Sequence, residues 1–197
     1  MDLRLWHQRR ETFSQSEGKK MRIAILRIGS VDMKVLESIR KSLCAIFPEA
    51  SCEILEPTMP TPEDAYNSSR RQYHSSNVLS KIRDYVEKSR ADCVLGVTEV
   101  DLYVPRLNFI FGEAECPGRT AIISLFRLKP EFYGKPPDWN LFAERSAKEA
   151  VHEIGHTLGL EHCRNSMCIM FFSNSILDTD RKKLAFCERC YLRLRKA

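Results

Sequence analysis

The stretch His152-Glu153-Ile154-Gly155-His156-Thr157-Leu158-Gly159-Leu160-Glu161-His162, with Cys163 directly behind it, decides the reading of this chain. His152 and His156 are four residues apart. On an α-helix that spacing puts both imidazoles on one face, about a turn apart. Two histidines can then reach one metal ion from a rigid support. Glu153 stands beside the first of them, where its carboxylate can meet a metal-bound water. Gly159 is placed to end the helix, because a left-handed residue bends the chain back without the Cβ penalty that other residues incur. The turn then presents His162 as a third nitrogen ligand. Three protein ligands leave one position for water, which is the catalytic arrangement of zinc rather than the closed structural one.

From the chain's own His and Glu content, H-E-x-x-H alone arises by chance in roughly one such sequence in a hundred. Requiring Gly159 and His162 as well lowers that to about one in a hundred thousand. An amphipathic core helix with incidental histidines explains Leu158 and Leu160. It does not explain three of the chain's five histidines falling within eleven residues.

Downstream stand Cys163, then Cys168-Ile169-Met170, then Cys187-Glu188-Arg189-Cys190. Four thiolates at this spacing suit a tetrahedral structural zinc site with no open position for water. Cys163 is bonded to His162, so the two metals would be mechanically coupled. A redox-sensitive thiol pair at Cys187 and Cys190 is the alternative. The other four cysteines, Cys44, Cys52, Cys93 and Cys116, are scattered and are expected to be small buried hydrophobes.

With these residues the chain resembles the metzincin clan of zinc metalloproteases. Within the clan it looks like the archaemetzincins, whose signature joins the histidine motif to C-x4-C-x-M and a distal C-x-x-C. The match is strong over about residues 145–190, and the segments at residues 108–114 and 123–128 share it less specifically. The resemblance implies an α/β zinc-peptidase fold, two zinc ions, and Met170 packed beneath the catalytic one. Met170 is expected to act only by packing, since a thioether is a poor zinc ligand beside three imidazoles. Some other metzincins carry a tyrosine just after this methionine that can approach the metal. Phe171 and Phe172 stand here, so tyrosine assistance is not expected.

The rest of the chain fits that frame. Residues 1–20 are polar and charged without clear periodicity and are expected to form a flexible extension. Residues 21–197 are expected to form a single metzincin-like domain. Residues 22–28, 52–55 and 93–97 read as strands, and the first and third of them as buried. Asp32 is a candidate cap for a helix reaching about Phe47, and Asn77 begins a second amphipathic helix. Residues 56–65 and 129–140, rich in proline, read as loops. Alternation of strand and helix implies an α/β fold: a mostly parallel twisted sheet with flanking helices. Residues 108–113 and 120–128, around Pro117-Gly118, read as an antiparallel pair at the sheet edge. A peptide substrate could add to such an edge by backbone hydrogen bonds. Residues 141–158 form the metal-bearing helix, capped by Asp138 or Asn140. A C-terminal zinc knuckle closes residues 171–186.

The formal charge is +5 and 43% of residues are apolar. No apolar run is long enough to span a membrane. No secretory hydrophobic segment opens the chain, so a cytoplasmic location with reduced thiols is expected. A mild basic excess of this kind is a poor argument for nucleic acid unless it forms a patch; a zinc-ribbon nucleic-acid reading using Lys182, Lys183, Arg189, Arg193 and Arg195 leaves His152, Glu153 and His156 unexplained, and no nucleic-acid partner is expected.

The expected chemistry is hydrolysis of a peptide or small protein by a monomer. Zinc acidifies its water and polarises the scissile carbonyl. Glu153, as general base, takes the water proton and passes it to the leaving amine. The competing reading keeps the same zinc fold as a peptide- or protein-binding module with little hydrolysis.

Overall fold

The computed structural model describes residues 20–195, apart from residue 57. The extension expected over residues 1–20 therefore lies outside the described residues, Lys20 aside.

The chain begins its fold with β1 (Met21–Ile28), whose central residues are buried on both faces. Its near-continuous aliphatic run is what a parallel strand covered on both sides requires. Asp32 then caps α1 (Met33–Ile46) by accepting the Lys34 N–H at 2.9 Å. Val35, Leu36, Ile39 and Leu43 are the buried stripe of α1. Next come β2 (Ala50–Ile54), β3 (Tyr66–Asn67), β4 (Gln72–His74), α2 (Ser75–Ser89), β5 (Cys93–Thr98) and β6 (Leu102–Tyr103). They are followed by β7 (Gly112–Ala114), β8 (Thr120–Ser124), α3 (Trp139–Thr157), α4 (Ile176–Arg181) and α5 (Glu188–Leu194).

The main sheet has the order β2-β1-β5-β8-β7. All neighbours are parallel except β7, which runs antiparallel to β8 and forms the edge. Side chains alternate faces along each strand, so the sheet divides the core in two. Ile23, Ile25, Leu95, Val97, Ala121 and Ile123 pack with α1 and α3 on one face. Ala24, Leu26, Val94 and Ile122 pack with α2 on the other. The expected α/β class, parallel sheet and antiparallel edge are all present.

The structure also differs from the sequence reading. A second sheet, β3-β4-β6, was not expected; its strands have only two or three residues, too short to show a period. Only Ile110 of residues 108–111 makes a bridge, to Leu102. Beyond Ser124 the chain leaves the sheet for a 3₁₀ turn, Phe126–Leu128. The proline-rich loops contain two further 3₁₀ turns, Glu63–Ala65 and Pro130–Tyr133. The helix expected from Asn77 starts at Ser75. Residues 171–186 are not a plain insert but carry α4, whose Ser175 and Asp178 form a capping box. No helix among the described residues is long and apolar enough to cross a membrane.

Candidate metal centre

The helix α3 carries two of the three candidate histidines. Asp138, not Asn140, caps it, accepting the Leu141 N–H at 3.0 Å. From Arg145 to Gly155 every residue is buried, so the helix runs through the molecule rather than over it. It ends as the motif demands. Gly159 adopts φ +80°, its N–H donates to His156 O at 2.8 Å, and the Leu160 N–H returns to Gly155 O at 3.0 Å. This turn carries His162 back to the helix face.

The three imidazoles converge. His156 Nε2 lies 3.1 Å from His152 Nε2 and 3.2 Å from His162 Nε2. His152 Nδ1 faces Ile169 O at 2.7 Å, and His156 Nδ1 faces Leu160 O at 2.6 Å. A carbonyl oxygen only accepts, so each of these Nδ1 atoms carries the proton and each Nε2 is left with a bare lone pair. Lone pairs gathered this closely repel one another unless a cation sits among them. Tetrahedral zinc at about 2.1 Å from each nitrogen would separate the ligands by about 3.4 Å. The donor set therefore fits zinc. Burial, and the neighbouring His162, push the His156 imidazole down to about 4. Burial likewise lowers His152 and His162, which keeps all three neutral and able to ligate.

Glu153 is buried beside this group, and burial pushes its carboxyl well above the usual carboxylate range. Glu149 and Glu113 add to the rise while Lys182 opposes it. Glu149, one turn earlier on α3, holds the fully buried Lys182 by a 3.0 Å ion pair and also accepts from Thr179 Oγ1 at 3.0 Å. Nearby, Arg145 makes a bidentate pair with Asp180, both bonds 2.7 Å. These links tie α4 to the underside of α3. Neither pair was legible in the sequence, where the partners stand 33 and 35 residues apart.

A cleft of about 570 Å³ opens over the histidines. Glu113 and Phe109 line it, together with Glu149, Glu153, Cys116 and Phe172. The Glu113 carboxylate accepts from the hydroxyls of both Ser75 and Ser76, which fastens the edge strand to the start of α2. Met170 is fully buried beneath α3, and a Cβ on Gly155 would lie 2.5 Å from its sulfur. The glycine lets the thioether reach the helix backbone between the two histidine positions. Glu161, read as a surface residue, is exposed.

The four cysteines form the second group. Cys163, Cys168, Cys187 and Cys190 bring their sulfur atoms within 4.8 Å of one another. The Cys163 and Cys187 sulfurs are 3.7 Å apart, close to the spacing of about 3.8 Å expected around tetrahedral zinc at about 2.3 Å from each sulfur. Burial acts to raise the Cys163 thiol, but hydrogen bonds from the Asn165 N–H, from neighbouring thiols and from Arg189 hold it at about 7. The Cys163 N–H donates to Met170 O at 2.8 Å, so a backbone hydrogen bond joins the cysteine group to Met170. Of the scattered cysteines Cys93 is buried as expected. Cys44 and Cys52 are half-buried, and Cys116 is exposed at the cleft.

Comparison with known proteins places this geometry in context. The model of Peptidase family M54 matches residues 31–196. The archaemetzincin of Methanocaldococcus jannaschii is 48% identical over 174 residues, 88% of this chain and 93% of that protein. The archaemetzincin of Pyrococcus abyssi is 44% identical over 178 residues, covering 88% and 94%. Among solved structures, archaemetzincin from Methanopyrus kandleri superposes with a TM-score of 0.79 at 35% identity, covering 92% of this chain and 97% of its own. A zinc-dependent peptidase from Methanocorpusculum labreanum gives 0.78 at 30% identity, covering 87% and 99%.

Proposed function

The chain belongs to peptidase family M54, the archaemetzincin zinc metalloproteases, and on that premise we propose how its residues divide the work. His152, His156 and His162 hold the catalytic zinc, and Glu153 is the general base. Cys163, Cys168, Cys187 and Cys190 hold a second, structural zinc. The substrate is a peptide or small protein, taken up by a monomer.

The observation that carries this reading is the convergence of three Nε2 atoms, with His156 Nε2 3.1 Å from His152 Nε2 and 3.2 Å from His162 Nε2, beside a buried carboxyl group in an open cleft. Bound zinc supplies Lewis acidity, acidifying water and polarising a carbonyl. The protein's own groups do the rest. Glu153 takes a proton from the attacking water and passes it to the leaving amine. The hydrogen bonds from His152 and His156 to backbone carbonyls keep both rings in one tautomer. The edge strand β7, beside Glu153, offers backbone groups along which an extended peptide can align.

The test is a peptide-library cleavage screen with zinc counted per chain by native mass spectrometry. Two zincs and cleavage products are expected from the wild type, and one zinc without cleavage from His156→Ala. One zinc in both proteins would mean the histidine group stays empty and the fold serves as a binding module.

A further inference from the structure

The three histidines are not held alike. His152 and His156 sit on α3, and each is oriented by a backbone carbonyl at its Nδ1. His162 sits beyond the helix on an exposed turn, and among the described residues its Nδ1 has no such partner. A ligating histidine normally donates its second nitrogen to a partner that fixes ring and tautomer. His162 has an aromatic neighbour instead. Phe172 meets His162 edge to face, with ring centroids 4.8 Å apart and planes at 60°. The geometry is that of a favourable aromatic pair.

Phe172 also has a second side. It is 38% exposed and lines the cleft together with Phe109 and Phe111, which pack on each other at 5.1 Å. A large apolar ring left partly in water at a binding cleft retains burial to offer a ligand. Covering its remaining surface is favourable for an aliphatic or aromatic group and not for a charged one.

We propose that Phe172 positions His162 and is at the same time the apolar wall of a substrate subsite, which takes an aliphatic or aromatic side chain of the peptide. The inference rests on His162 being a zinc ligand. One ring then serves both ends: its contact with the third imidazole fixes that ring, and its exposed surface registers the substrate against it.

The test compares Phe172→Ala, Phe172→Leu and Phe172→Tyr with the wild type. Zinc affinity at the histidine site is read by chelator competition, and KM and kcat are read for peptides differing only by Leu, Phe or Gly at each scanned position. Phe172→Ala is expected to weaken histidine-site zinc about tenfold, leave the cysteine-bound zinc in place, and abolish the preference for apolar peptides through KM. Phe172→Leu is expected to lose zinc affinity as Phe172→Ala does while keeping part of the apolar preference. Phe172→Tyr, which keeps the aromatic ring, is expected to keep both. Unchanged zinc affinity in Phe172→Ala and Phe172→Leu overturns the positioning role, and unchanged peptide preference overturns the subsite. Wild-type protein whose histidine site takes no zinc overturns the proposed function and this inference together.

Discussion

Gly112 lies so close to Glu153 that a Cβ added to it would fall 2.5 Å from Oε1 and 2.8 Å from the carboxyl carbon. Residue 112 opens the edge strand β7, so the backbone alongside which a peptide would lie is also the wall that sets where the carboxylate stands. Gly112→Ala must push the Glu153 side chain aside. We expect zinc content unchanged and kcat lowered about 100-fold, as for a catalytic group displaced by about an ångström. Steady-state kinetics beside metal analysis check this. Full activity in the variant would show that the carboxylate has room to spare.

Glu153→Gln keeps the shape of the side chain and removes its basicity. Hydrolysis should fall by about 10²–10⁴, with both zincs retained, since Glu153 is not among the converging nitrogen and sulfur donors. Product formation over hours, beside native mass spectrometry, is the measurement. Wild-type rates would remove the general-base role.

Changing Cys163, Cys168, Cys187 and Cys190 together to serine should take the protein from two zincs to one and weaken the remaining one. The coupling runs through the backbone. Cys163 N–H donates to Met170 O, and the neighbouring Ile169 O orients His152. Zinc titration with a competing chelator reads it. A quadruple variant holding a full, active catalytic zinc would sink the idea that the two sites are coupled.

The buried pair Glu149–Lys182 should be intolerant of being halved. Lys182→Met leaves Glu149 in the core without its cation, at a cost of about 3–5 kcal/mol. Replacing both, with Glu149→Leu beside Lys182→Met, should recover most of that loss, because a buried ion pair is often no more stabilising than packed apolar groups. Chemical denaturation of the single and double variants decides the matter.

Metal-free protein should lose stability as pH falls. The His156 imidazole lies at about 4 when folded against an ordinary value of 6.5. Between those values the unfolded chain binds a proton that the folded chain refuses, so stability declines as pH drops from 6.5 toward 4. His152 and His162, also lowered, add in the same direction, and the raised Glu153 carboxyl alone opposes these three over the same window. Thermal unfolding of the apo-protein across this window tests the sign. A melting temperature that rises on acidification would contradict it.

What was legible in the sequence was what depends on short spacing. His152, Glu153, His156, Gly159 and His162 lie on one helix and one turn, so their geometry follows from residue counting. The strands β1 and β5 announce themselves as buried aliphatic runs. The second sheet did not, because its short strands are held by distant polar contacts, such as Gln72 Nε2 to Asp101 at 2.9 Å and Arg70 to the Leu107 carbonyl at 2.9 Å. Lys182 and Arg145 were illegible for another reason: a charged side chain is ordinarily exposed, and only a distant partner makes burial tolerable. Phe172 carried no mark to separate it from Phe171, since its meaning lies in the ring it faces.

The burial of α3 from Arg145 to Gly155 limits how such a protein can diversify. Most helices keep one face in water, where substitutions drift at little cost. This one has no spare face along eleven residues, so nearly every change there disturbs packing, an ion pair, His152 or Glu153. New cleavage preferences would have to be written on the cleft rim, at positions such as Phe109, Cys116 and Phe172. The chemistry is thereby fixed in a part of the chain that mutation can scarcely enter, and selectivity is left to the part that it can.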